Sequence, residues 1–424
     1  MRILFLTNFY PPHELGGQER SCQQVVEGLA KRGHQTAVLT SRHGADDTSG
    51  EGDGIYRWLY LEMDLVPWRH SVTFFTQRGR RERHNIQRLR QVLDQFKPDI
   101  VFVWGMWNLS WSLPAFAEAH CPEKVVYRFA DYWPTLPSQH ELYWRVSGRR
   151  WFTHLPKQIV GRLALALLAR DNPRPSLAFE HTICVSAATR DILVQAGIPV
   201  ADARIIYTGI EATAYRNGHH RRAQKPVERL NVLYAGRLAA DKGVETAILA
   251  MARLKRSAAE NPISLSLAGS GLAEYEAYLR QLVEKEGIGD CVSFLGQVPY
   301  AKMPSLLQHF DVLLVPSTWP EPFARVVLEG MVAGLVIVAT PTGGTAEVVV
   351  DGENGLLFAA GDAHELAQKI TALAIERELR WRLARAGQQT VVQRYTVARM
   401  LDGFESYLTE VALGANRRVL VPTL

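Results

Sequence analysis

Two carboxylates eight residues apart, Glu321 and Glu329, bracket the stretch Glu321-Pro322-Phe323-Ala324-Arg325-Val326-Val327-Leu328-Glu329. An apolar run, Val312-Leu313-Leu314-Val315-Pro316-Ser317, precedes it and another, Val336-Ile337-Val338-Ala339-Thr340, follows it. Both runs are short and β-branched, as buried strands are. The segment between them therefore reads as a loop and the start of a helix at the carboxyl edge of a parallel sheet, where open α/β folds hold ligands. A carboxylate placed there accepts paired hydrogen bonds from vicinal hydroxyls. The backbone N–H groups of Phe323, Ala324 and Arg325 at the helix start can donate to the same ligand.

An E-x7-E spacing alone is common by chance, so its neighbours decide its weight. Tyr234-Ala235-Gly236-Arg237-Leu238 and Asp241-Lys242-Gly243 follow another predicted strand. Arg237 offers a planar fork to phosphate oxygens and Lys242 a point charge, which suits a diphosphate that gathers negative charge as it leaves. Gly236 and Gly243 permit close backbone approach. Near the N-terminus, Gly16 and Gly17 sit where the first strand gives way to the first helix, an arrangement that can present N–H groups to an anion. Gly269-Ser270-Gly271, Gly296-Gln297-Val298 and Thr342-Gly343-Gly344-Thr345 each follow a strand and read as tight turns first and ligand contacts second.

Together these motifs resemble the donor site of the family-four glycosyltransferases, retaining enzymes of the GT-B fold. The resemblance implies an α/β architecture of two Rossmann-like domains facing a cleft, with the C-terminal helix crossing back to the N-terminal domain. It implies that Glu321 contacts the transferred sugar and Glu329 the ribose hydroxyls. Arg237 and Lys242 would stabilise the leaving diphosphate, and Gly296 and Val298 would border the base. Gly16 and Gly17 would meet the phosphates, and Asp131 is an acceptor-side candidate whose alternative role is to form a turn. Two positions depart from the pattern. Ala130 stands where relatives often carry a histidine, and Ala324-Arg325 where they carry glycine and an apolar residue, which adds bulk and charge beside the sugar. No D-x-D motif occurs. The expectation is thus a metal-independent reaction with no cofactor, in which a nucleoside-diphosphate sugar is the donor substrate.

These residues need a frame. A chain of 424 residues with 47% hydrophobic and 21% charged residues fits two globular domains. Short β-rich runs alternate with helical patterns, predicting an N-terminal domain over 1–215, joined by 398–424, and a second domain over 230–397. The polar segment 216–229 reads as a linker. Strands are predicted at Ile3 to Leu6, Thr36 to Thr40, Ile100 to Val103, Val125 to Phe129, Thr182 to Val185 and Ile205 to Tyr207 in the first half. In the second they are Leu230 to Tyr234, Ser264 to Ala268, Val292 to Leu295, Asp311 to Val315 and Val336 to Thr340. Helical spacing aligns Cys22, Val25, Val26 and Leu29, then Tyr275, Tyr278, Leu279 and Leu282, and finally Met400, Phe404 and Leu408.

The four cysteines Cys22, Cys121, Cys184 and Cys291 are scattered and read as reduced thiols, which predicts a cytoplasmic protein. No apolar run approaches the ~20 residues of a membrane span. The net charge of +5 suits anionic ligands or an acidic membrane surface, and no recognition motif points to nucleic acid.

Arg78, Arg80, Arg81, Arg83, Arg88 and Arg90 share one predicted helix, and Arg145, Arg149, Arg150, Lys157, Arg162 and Arg170 accompany Trp144, Trp151 and Phe152. Basic residues interleaved with aromatics suit peripheral contact with anionic lipid and a lipid-linked acceptor. Two other readings stand beside it: a solvated helical insert, and a groove for a soluble anionic acceptor. The expected function is sugar transfer to a hydroxyl acceptor; a catalytically silent sugar-nucleotide-binding protein and a GT-B epimerase remain as alternatives.

Overall fold

The computed structural model describes residues 1–13, 16–44, 54–65, 67–146, 151–171, 174–215, 229–257 and 262–419. Nearly all of the linker expected over 216–229 lies outside these, as do Arg149 and Arg150. The chain divides into two units, one of Met1–Cys184, Thr189–Ile206 and Leu401–Leu424, the other of Val185–Ala188 and Tyr207–Met400.

In the first unit the apolar runs become strands β1 (Arg2–Thr7), β2 (Gln35–Ser41), β3 (Ile55–Leu59), β4 (Ile100–Gly105), β5 (Val125–Phe129), β6 (His181–Cys184) and β7 (Arg204–Ile205). They form a parallel sheet in the order β3-β2-β1-β4-β5-β6-β7. β1, β4 and β5 are buried almost throughout, which is why they read as unbroken apolar runs. The edge strand β3, Ile-Tyr-Arg-Trp-Leu, is buried only at Leu59 and lacks that signature, so sequence patterning passes it over.

The connecting helices are α1 (Gly17–Lys31), α2 (Pro67–Phe96), α3 (Ser112–His120), α4 (Gln139–Arg145), α5 (Trp151–Asp171) and α6 (Ala187–Gln195). α1 buries Cys22, Val25, Val26 and Leu29 on one face, as its spacing predicts.

The second unit holds β8 (Leu230–Ala235), β9 (Ile263–Ala268), β10 (Val292–Gly296), β11 (Val312–Val315), β12 (Val336–Ala339) and β13 (Leu356–Leu357) in the order β10-β9-β8-β11-β12-β13. Its helices are α7 (Val244–Arg256), α8 (Ala273–Lys285), α9 (Met303–Leu307), α10 (Arg325–Val332), α11 (Thr345–Val348), α12 (Ala363–Ile375) and α13 (Arg377–Arg394), and the last helix, α14 (Val397–Val419), starts in it. In α8 the buried positions are Leu279, Leu282 and Val283. Tyr278, expected on that face, is instead exposed and donates its hydroxyl to Glu245 at 2.7 Å, because a phenol keeps its polar end wet.

From Leu401 onward α14 belongs to the first unit. Phe404 packs 5.6 Å from the rings of both Phe102 and Trp104, and Arg32 bonds Asp402 and Glu405 at 2.8 and 2.6 Å. The expected return of the last helix is therefore present. Both units are parallel α/β sheets of Rossmann type, wrapped by helices on both faces.

Candidate functional site

In the second unit the strand order reverses between β8 and β11. Loops leaving these strands run in opposite directions, which leaves a crevice at the sheet's carboxyl edge. β8 delivers Gly236, Arg237 and Lys242 to it, and β11 delivers Ser317 and Glu321. Lys242 Nζ donates to Glu321 Oε1 at 2.5 Å, and Ser317 Oγ donates to the same oxygen at 2.5 Å. Each side chain of the ion pair is 16% exposed: open enough to meet a ligand, closed enough that water screens the charges poorly. Thr340 Oγ1 donates to the Ser317 carbonyl at 2.5 Å and holds that loop against the end of β12.

Glycine makes this approach feasible at two points. Gly243 has φ +65°, and a Cβ there would lie 1.9 Å from the Pro316 carbonyl oxygen. Gly269 has φ +148°, and its Cβ would meet the Gly236 carbonyl at 1.8 Å. The β8 loop is thus clamped between its neighbours on both sides. The backbone N–H groups of Thr318 and Trp319 donate to the Asp241 carbonyl, and that of Gly344 to the Glu321 carbonyl at 2.8 Å.

Arg237 sits differently. Its carbonyl accepts the Tyr234 hydroxyl at 2.5 Å, which fixes the backbone. Its guanidinium is 73% exposed and lies 3.8 Å from Asp241.

Glu329 lies on α10 and is 5% exposed. Arg325 Nε bonds Glu329 Oε1 at 3.3 Å, while its Nη2 donates to the Tyr300 hydroxyl at 2.9 Å. Tyr300 in turn lies 3.4 Å from the Tyr215 hydroxyl. The charge anticipated beside the transferred sugar is therefore turned inward and engaged by its own helix. Ala324 is the N-cap of α10, and Phe323 packs its ring 5.6 Å from Tyr207 and 5.9 Å from Tyr395, so this side chain is structural whatever its backbone does. Gly296 ends β10 at φ +70°, with its carbonyl accepting the Gly269 N–H at 2.8 Å. Val298 is partly buried against the core cluster below.

In the first unit Gly16 caps α1 and Gly17 opens it. The Gly16 N–H is already held by Glu19 Oε2 at 3.0 Å. Asp131 follows β5; its Oδ1 accepts the Trp133 N–H at 3.1 Å and its Oδ2 the Gln18 amide at 3.3 Å. Burial pushes its carboxyl up, and those two donors pull it back. This gives Asp131 the turn-forming role that was one of its two readings. Gln18 also donates to the Ala130 carbonyl at 3.0 Å, spanning the switch between β1 and the strands beyond it.

The structure thus unites Lys242 and Glu321 with the turns at Gly236 and Gly269, pairs Glu329 with Arg325, and places Gly16, Gly17 and Asp131 in the other unit. Ser317, Tyr300 and Gln18 were missed from sequence. Ser317 alone had a usable signal, a hydroxyl at the end of a buried strand four residues before the carboxylate it serves.

Residues 216–390 match the model of glycosyl transferases group 1, and residues 15–214 that of glycosyltransferase family 4. The glycogen synthase of Mycobacterium tuberculosis is 26% identical over 413 residues, covering 93% of this chain and 91% of that protein. The D-inositol 3-phosphate glycosyltransferase of Acidothermus cellulolyticus is 28% identical over 66% of this chain and 69% of its own. Among solved structures, a sucrose-phosphate synthase from Thermosynechococcus elongatus superposes with a TM-score of 0.71 at 20% identity, covering 97% of this chain and 99% of that one. Anabaena Alr3699/HepE in complex with UDP-glucose superposes with a TM-score of 0.66 at 23% identity, over 97% and 100%. These likenesses in structure establish the shared GT-B fold.

Proposed function

Because the chain belongs to the family-four, group 1 glycosyltransferases, we propose that it moves a sugar from a nucleoside-diphosphate donor to a hydroxyl acceptor with retention of configuration. The observation that carries this reading is the Lys242–Glu321–Ser317 cluster at the switch point of the second unit. Lys242 meets the diphosphate as it takes on charge, and Arg237 swings in to fork its oxygens. Glu321, positioned by Ser317, accepts from hydroxyls of the transferred sugar, and Glu329, paired with Arg325, accepts from the ribose. Each charged hydrogen bond contributes about 1.5–3 kcal/mol. The rest of the rate comes from positioning the two substrates.

UDP is the first nucleotide to test, since the HepE structures hold UDP and UDP-glucose. Calorimetric titration of UDP, GDP and ADP into the wild type and Arg237→Ala should show one nucleotide bound and weakened by the substitution. Binding of none would overturn the donor site. The fixed cations take the place of a metal in this reading, so turnover should survive chelation; loss to a chelator and recovery with a divalent ion would refute that part. A silent sugar-nucleotide-binding protein is favoured by one observation, Asp131 engaged in its turn beside Ala130. Donor binding without nucleotide release in the presence of glycan or lipid extracts would select it.

The four free thiols support a reducing, cytoplasmic setting. Among the described residues no helix is long and apolar enough to cross a membrane. Peripheral contact with anionic lipid is supported by α5, where Ile159 and Leu163 are 63% and 58% exposed next to exposed Arg162. Four of the six α2 arginines argue for the helical-insert reading instead: Arg78, Arg81, Arg88 and Arg90 lie over the rings of Phe74, Tyr60, Trp58 and Phe116. Flotation with anionic vesicles at low and moderate salt separates the two, and absence of binding at both removes the lipid.

A further inference from the structure

The first unit contains a groove of about 530 Å³ that the donor chemistry does not use. It opens at the carboxyl edge of its sheet, where loops leave β3, β4 and β5. Glu62 comes from the loop after β3, Glu82 from α2, Ser110 from the turn after β4 and Ser112 from the start of α3. Ser110 Oγ donates to Glu82 Oε1 at 3.3 Å and shares a hydrogen bond with Ser112 Oγ at 2.9 Å. Glu62 Oε2 accepts the Gln139 N–H at 2.9 Å from the start of α4. α5 supplies an apolar side through Leu165, Leu168 and Ala169, and Trp111 lies nearby with the Arg174 guanidinium 4.3 Å above its ring.

The two arginines that line this groove have partners. Arg145 lies 3.6 Å from Glu141, and Arg174 donates to the Leu136 carbonyl. An incoming anion would face the Glu62 and Glu82 carboxyls with these guanidiniums already engaged. A ring with hydroxyls on its rim and C–H groups on its face meets the opposite situation: carboxylates and serines for the rim, aliphatic and indole surface for the face. Burial pushes the Glu62 carboxyl up to about 7, with the Gln139 N–H pulling it down and Glu82 raising it further. Near neutral pH it can therefore both accept from and donate to a hydroxyl.

We propose that this groove receives the acceptor as a neutral, polyhydroxylated sugar ring, with Glu62 and Glu82 bonded to neighbouring hydroxyls. The proposal rests on the transferase reading above and names the class of its second substrate. It favours a glycan end over a bare phosphate or a lipid headgroup as the group that is read.

The test is saturation-transfer NMR on the full chain with methyl α-glucoside, methyl α-galactoside, methyl α-mannoside and maltotriose, with inorganic phosphate as the anionic arm. At least one glycoside should bind, and its Kd should rise at least about tenfold in both Glu82→Gln and Glu62→Gln. Glu82 lies on a solvent-facing helix, so its variant keeps the test alive if the Glu62 variant fails to fold. No glycoside bound at millimolar concentration, binding unchanged in both variants, or displacement of the glycoside by phosphate would each overturn the proposal. UDP, GDP and ADP titrated into the same samples separate the two readings. If the wild type binds one of these nucleotides but no glycoside, this inference alone fails; if it binds no glycoside and none of the three, the transferase reading fails with it.

Discussion

The two units carry the same kind of sheet yet build their sites in different ways. In the second, the candidate donor residues come from loops that immediately follow β8 and β11, and backbone contacts at Gly243 and Gly269 hold those loops against each other. In the first, the groove is assembled from side chains spread between Glu62 and Pro175 on four helices and the loops around them. Under the proposed function the difference teaches that a ligand with fixed chemistry, a diphosphate, would be met by a local motif at a strand end. A ligand defined by its shape would be met by whatever the surrounding helices can bring together.

The sharpest way to break this comparison is Lys242→Ala. It leaves Glu321 half-buried without its cation and removes charge from the leaving group, so kcat/KM should fall about 100- to 1000-fold with the thermal midpoint little changed. A loss of stability without a loss of turnover in the folded fraction would make the pair a structural strut instead.

Gly243→Ala should act through the backbone alone. The left-handed φ and the overlap with the Pro316 carbonyl together should cost about 3 kcal/mol in urea denaturation. An unchanged midpoint would show that the loop can move aside and that the second unit's site is less tightly clamped than argued.

Glu62→Gln sharpens the contrast from the other unit. The folded state raises this carboxyl from 4.5 to about 7, so it binds the proton more tightly than the unfolded chain does. Native stability must then fall as pH rises through that window, the reverse of a salt-bridged carboxylate. The variant escapes this loss, so it should be more stable than wild type by at most about 3 kcal/mol above pH 7 and by little near pH 4.5. A gain that does not change with pH would mean Glu62 is ionised without penalty and the groove is wetter than its lining implies.

The smallest effect is expected for Arg325→Ala. Without its guanidinium the buried Glu329 carboxylate loses its charged partner, which should weaken nucleotide binding about tenfold. Arg325→Lys should restore part of it. Affinity unchanged in Arg325→Ala would assign Arg325 to packing alone.

The alternation of apolar runs and helical spacing was enough to predict two parallel α/β domains and the strands β1, β2, β4, β5, β6, β8, β9, β10, β11 and β12, whereas the return of the last helix came only from the resemblance. Local hydrophobic patterning determines the central strands because a strand buried on both faces must be apolar along its length. The same logic passed over β3, an edge strand interrupted by Arg57, and β13, which has two residues. The loop positions of Glu321 and Lys242 were legible for the same reason: each lies directly after a readable strand.

What only the tertiary structure decided are the partners. Lys242 and Glu321 are 79 residues apart, and they meet because β8 and β11 are neighbours in the sheet. Arg325, judged from its position to crowd the sugar, folds back on Glu329 and Tyr300. Asp131 is taken up by Gln18 and Trp133, and Glu62 and Glu82 share one groove. A sequence fixes which residues stand at a strand's end. Which charge faces which, and how much water remains between them, depends on the crossover of the chain and the depth of burial it produces.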